Sequence, residues 1–133
     1  MAGRPHEVHT ADNAVPPLDS ELAGLLEDLA GIHPGIDLIL DGIRLLCLDR
    51  HTRDDTQLLT VTLAGSPDGT DALTLLALTV ARLTNPDSNP ALRTIPFDQQ
   101  KDAQRAGEAL VFALSDPDLH QHASNACAAI DTH

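Results

Sequence analysis

The sequence predicts an α+β domain: a helix, a three-stranded meander, a second helix, two further strands and a closing helix, with an antiparallel sheet packed against the helices. Three observations predict it. Asp41-Gly42 stands between two alternating apolar runs, "IDLIL" and "IRLLC". "TQLLTVTLA" at 56–64 alternates Leu59, Val61 and Leu63 with Thr60 and Thr62. Leucines recur at helical spacing over 19–30 and again over 71–84. An all-α bundle is the alternative, and the stretch 36–50 decides between the two.

Residues 1–17 are polar, end in Val15-Pro16-Pro17 and are expected to form a disordered tail. The single domain is then expected over 18–133. The first helix, 19–30, carries Leu22, Leu25, Leu26 and Leu29 on one face. Asp19 or Ser20 can cap it, and Gly31 and Pro34-Gly35 stop it. Over 36–50 a helix is possible, with apolar residues at 36, 39/40, 43 and 46/47. Against it, Gly42 in mid-helix would cost about 1 kcal/mol. Asp-Gly between alternating runs is a strong hairpin signal, because a type I′ turn needs positive φ at both central residues. The strand-like 56–64 also needs a partner for its backbone groups. The expected meander is therefore 36–40, 43–50 and 56–64.

Ser66-Pro67-Asp68-Gly69 reads as a turn, and Thr70 as the cap of a helix over 71–84. Its apolar residues cover so much of the circumference that it must be central or at an interface. "NPDSNP" at 85–90 is a loop. "ALRTIPF", 91–97, alternates like an edge strand, with Pro96 barring a central position. "EALVFALS", 108–115, is a second strand candidate or the end of a helix beginning near Asp98, so 98–114 stays open between helix and strand. Asp116-Pro117 opens a last helix, 117–130.

The chain has 133 residues, 20 acidic and 8 basic, for a net charge of −12. Such a surface repels phosphate backbones, so no nucleic-acid partner is expected. Aromatics are 2 %, which leaves the core to Leu, Ala, Val and Ile. Cys47 and Cys127 form no CxxC and read as buried free thiols in a reducing compartment. "MAGRPHEVHT" lacks the apolar core of a secretory leader, and no apolar run approaches the ~18 residues a membrane span needs. A cytoplasmic protein is expected.

Chemical motifs are weak. "HEVH" (His6, Glu7, His9) lacks the i, i+4 spacing of a zinc helix. His120 and His122, with Asp118 and Cys127 nearby, point to different faces at i, i+2 and are expected to be exposed. Asn85, Asp87 and Asn89 alternate like calcium ligands, but Pro90 stands where such a loop needs Gly, so turn formation is the reading. Asp49, His51, Asp54 and Asp55 read as a solvated hairpin tip. No nucleophile, phosphate loop or dinucleotide motif is present. No catalytic residue, metal or cofactor is expected, and the protein is read as a non-enzyme.

Five segments carry a family likeness: "LAGLLEDLAG", "IDLILDGIRLLCLD", "TQLLTVTLAG", "TDALTLLALTVARL" and, loosely, "ALRTIPF…EALVFALSDPDL…ACAAI". In this order, with this size and acidity, they resemble the class I type III secretion chaperones, the Tir-chaperone-like family. The resemblance implies a small bacterial cytoplasmic homodimer that binds a non-globular segment of a secreted effector in apolar grooves and keeps it soluble. It implies partner-binding roles for Leu22, Leu25, Leu29, Leu46 and Leu48, and a dimer interface at Leu73, Leu76, Val80 and Leu83. The 17-residue extension and the 85–90 loop depart from the pattern, and the last helix is shorter and more Ala-rich. The alternative function is an acidic adaptor, immunity or antitoxin-like protein that masks a basic surface of a folded partner. That reading requires 36–50 to be a helix.

Overall fold

The structure, a computed structural model, describes residues 14–66 and 68–131. It overturns the expected α+β fold: no strand occurs among the described residues. Six α-helices do: α1 (Ser20–Asp28), α2 (Pro34–Leu48), α3 (Arg53–Thr60), α4 (Ala72–Leu83), α5 (Phe97–Leu114) and α6 (Pro117–Asp131). One π-helical turn, Val61–Gly65, continues α3, and a short 3₁₀ turn, Pro90–Thr94, precedes α5. The chain divides into two compact units, Met1–His51 and Thr52–His133. The expected tail at 1–17 and the "HEVH" motif lie wholly or largely outside the described residues.

In the first unit, Asp19 caps α1 as its spacing predicts, its carboxylate accepting from the Leu22 amide at 3.2 Å. Leu26 and Leu40 are its buried large side chains. Gly31 takes φ +83°, and its amide donates to the Asp37 carboxylate at 2.8 Å, which fixes the turn into α2. The expected hairpin at 36–50 is absent, because this stretch is helix α2 throughout. His33 caps α2 by accepting from the Gly35 amide at 2.9 Å, and Pro34 supplies the fixed φ of a first helical residue. Asp41 pairs with Arg44 one turn on, at 3.1 Å. Gly42 lacks the positive φ that the turn would need. One interior glycine costs less than fifteen residues of capped helix gain. Leu46 and Leu48, expected on one strand face, therefore point about 160° apart around a helix. Cys47 is exposed rather than buried.

In the second unit, the threonines that suggested a strand are absorbed by the helix. The hydroxyls of Thr56, Thr60 and Thr62 each donate at 2.7 Å to the carbonyl four residues back. Thr52 caps α3 by accepting from the Asp55 amide at 3.1 Å. The expected strands at 91–97 and 108–115 are also absent. Pro96 lies at the N-terminal boundary of α5, and 108–115 is the last part of that helix and its cap.

α4 packs against α5, and Gly107 is where they come closest. A Cβ there would overlap the Thr84 hydroxyl and lie 3.1 Å from the Ala81 Cα. α6 lies on the π turn, where a Cβ on Gly65 would stand 3.2 Å from the Ala123 methyl. It also lies on α3, where the Gln57 amide donates to the Cys127 carbonyl at 3.0 Å and the Cys127 thiol donates back to the Gln57 carbonyl at 3.4 Å. Cys127 is half-buried and free.

These contacts predict opposite effects of two alanine substitutions in urea unfolding followed by circular dichroism. Gly42→Ala has open space around it and raises stability by about 0.5–1 kcal/mol, whereas at a hairpin turn it would lower it. Gly107→Ala lowers stability by about 1–3 kcal/mol, because a backbone atom blocks the new methyl.

Candidate functional site

The buried polar cluster of the second unit is built from helix ends. Asp71 is the N-cap of α4. One carboxylate oxygen accepts from the Thr74 amide at 2.9 Å, and the other from the Ser66 amide at 3.2 Å. His120, in the first turn of α6, faces it: Nδ1 lies 2.8 Å from the Asp71 Oδ2 and 2.7 Å from the Ala64 carbonyl. Nε2 lies 2.6 Å from the Leu114 carbonyl at the end of α5. Ser124 donates to the neighbouring Gly65 carbonyl at 3.2 Å. One imidazole thus joins the π turn and the ends of α4, α5 and α6, and satisfies carbonyls that helix ends leave open.

His120 is 2 % exposed and Asp71 6 %. Both ring nitrogens face acceptors, a geometry that favours the doubly protonated imidazolium against the Asp71 carboxylate. The Leu114 carbonyl raises the His120 pKa most; the Ala64 carbonyl and Asp71 add to it against the effect of burial. Burial pushes the Asp71 carboxyl up, but the hydrogen bonds from Thr74 and Ser66 and the facing imidazole hold it below the ordinary value. At the loop's exposed end, the Ser66 hydroxyl bonds Asp68 and holds that carboxyl low.

His120 is thus a structural clamp where an exposed histidine was expected. Little in its own neighbourhood signals this, since two of its three partners, Asp71 and Ala64, lie some fifty residues away. Among the described residues no three His, Cys, Asp or Glu side chains could hold one metal ion. The side-chain oxygens of Asn85 and Asn89 accept from the Asp87 and Ala91 amides, and the Ser88 hydroxyl donates to the Arg82 carbonyl, as in a chain of turns. His51 lies 2.7 Å from the Leu46 carbonyl and closes the end of α2, where a hairpin tip was expected.

The apolar residues singled out from sequence are scattered over both units. On α1, Leu22 is half-buried, and Leu25 and Leu29 are 55 % and 45 % exposed. On α2, Leu46 is half-buried and Leu48 exposed. On α4, Leu73 is half-buried, whereas Leu76, Val80 and Leu83 are exposed. Leu75, 64 % exposed, and Leu78, to which the sequence reading gave no site role, flank an open groove of about 400 Å³ with Thr62, Gly69, Thr70, Asp71 and Ala72. No helix among the described residues is long and apolar enough to cross a membrane.

No protein-family model, curated protein or solved structure matches this chain.

The buried pair sets a pH dependence. A histidine raised above its ordinary 6.5 gives stability that is complete below that value and lost as pH rises through the folded value. An aspartate held below its ordinary 3.8 gives stability that is complete above that value and lost as pH falls through the folded one. The second unit is thus most stable between roughly pH 4 and 6.5 and weakens on the alkaline side. Urea unfolding as a function of pH should show that alkaline decline. His120→Ala should be less stable throughout and lack it. An unchanged alkaline slope in the variant would count against the pair.

Proposed function

We propose that this chain is a non-enzymatic, cytoplasmic acidic adaptor that masks the basic surface of a folded protein partner. Every described helix but α4 carries carboxylates, and their placement supports the reading. Glu27 and Asp28 occupy the last turn of α1, which holds no basic residue, and both are exposed. Asp131 ends α6. A helix C-terminus is the negative end of the dipole, so carboxylates there cost stability. Acids kept where folding disfavours them fit a charge used for something else.

An all-helical fold meets the requirement of this reading. The secretion-chaperone reading relied on open strand edges to capture an unfolded segment, and the described residues have none. The long-range field of the acids would speed encounter with a basic surface, and salt would screen it.

The test is affinity capture at low and high salt, followed by identification of the bound proteins. Basic proteins should bind at low salt and be released at high salt. Glu27→Lys with Asp28→Lys should raise the stability of the first unit by about 0.3–1 kcal/mol per site yet lose the captured partner. Capture that survives both salt and charge reversal would overturn the proposal.

A further inference from the structure

The loop 85–90 is tied down along its length. Asn85 accepts from the Asp87 amide at 2.9 Å, the Asn89 side chain donates to the Leu83 carbonyl at 2.8 Å, and the Ser88 hydroxyl donates to the Arg82 carbonyl at 2.6 Å. Arg93, in the 3₁₀ turn that follows, reaches back onto it. Its Nε donates to the Pro86 carbonyl at 2.8 Å and its Nη2 to the Asp87 carbonyl at 3.1 Å. These donors are one edge of the guanidinium. The other edge, Nη1 with the second N–H of Nη2, has no partner among the described residues. An arginine anchored on one edge presents the other as a fixed two-donor fork.

Beside it lies a cavity of about 260 Å³ between the loop and the first turns of α5, lined also by Asp87, Phe97, Lys101 and Gln104. The Lys101 ammonium stands 5.2 Å from the centre of the Phe97 ring, which is 66 % exposed. Neither Arg93 nor Lys101 has a carboxylate partner among the described residues, in a chain that holds 20 acids. The charge balance also reverses here: four of the chain's eight basic residues fall between 82 and 105, against three acids.

We infer that this cavity binds a small carboxylate carried on a flat apolar ring. The carboxylate takes both donors of the open Arg93 fork, the geometry that a planar guanidinium offers a planar acid. Lys101 adds a second positive charge, and the ring lies against the exposed Phe97. Size and charge choose the class. The volume falls just under the ~300 Å³ at which pockets for drug-sized ligands begin, so it takes one ring with its acid group. The two cations and the Asp87 carboxylate leave one net positive charge, which a single carboxylate neutralises. A phosphate monoester, at roughly −2, would leave the site negative in a chain of net charge −12. The site uses cations that the adaptor reading leaves aside, so the two stand or fall separately.

Titration of the nitrogen-15-labelled full chain with sodium benzoate tests it, read by amide chemical shifts. Saturable shifts confined to 86–104 are expected, with a dissociation constant on the order of 1 mM. Benzamide, which keeps the ring and lacks the charge, should leave those amides unmoved. Lys101→Met, which keeps the stem over Phe97, should weaken benzoate binding about 10-fold, and Arg93→Lys, which keeps the charge and loses the fork, by about as much. Lys101 holds no part of the loop, so its variant reads the site even if Arg93→Lys loosens 85–90. Shifts that do not saturate, benzamide binding as well as benzoate, or a Lys101→Met chain that binds unchanged would each overturn the inference. So would tighter binding of phenyl phosphate, which would make the ligand a phosphate ester. A short peptide ending in a free phenylalanine carboxylate that binds tenfold tighter than benzoate would make the occupant a chain end, and would likewise overturn it.

Discussion

The second unit depends on one imidazole held between a carboxylate and two helix-end carbonyls. His120 meets Asp71, Ala64 and Leu114 at once. A buried ion pair adds little to stability compared with apolar packing, because removing both charges from water offsets most of their attraction. Its contribution here is geometric. Asp71 also caps α4 and holds the Ser66 amide, so the start of α4, the exit from the π turn and the first turn of α6 are set by the same two side chains. Removing either side chain would strand the other in the interior.

The rest of the surface follows from this interior. Its closest contacts are made by small residues: Ala81 with Gly107, and Gly65 with Ala123, allow backbones to approach, and neither pair has room for a leucine. The leucines of α4 are therefore left outside. An apolar interior would have drawn them in and left α4 an ordinary amphipathic helix. The acids are spread over the other helices, whereas α4 carries none.

Where a helix carried its own periodicity and cap, the sequence was enough. Asp19 before α1, the leucine rhythm of 71–84 and Asp116-Pro117 before α6 all mark elements found close to the expected bounds. The stretches that misled were those in which local signals compete. Asp41-Gly42 has the composition of a tight turn, but the glycines that take positive φ among the described residues are Gly31 and Gly69. The alternation of Thr and Leu over 56–64 suits a strand only while the hydroxyls are assumed to face solvent. Once they bond the carbonyls four residues back, the β-branched side chains fit a helix. The helix cap of Asp71 was within reach of sequence reasoning, with Thr70 taken in its place. Its pairing with His120 was not, because that contact depends on how α6 lies on the π turn.

The most direct test of this account is the state of the His120 ring, read by nitrogen-15 NMR of the imidazole as pH is raised past 6.5. The clamp predicts both ring N–H protons on His120, still present and slow to exchange above that pH. A neutral His120 ring with a single proton at that pH would contradict it. The helix ends around it would then need another explanation.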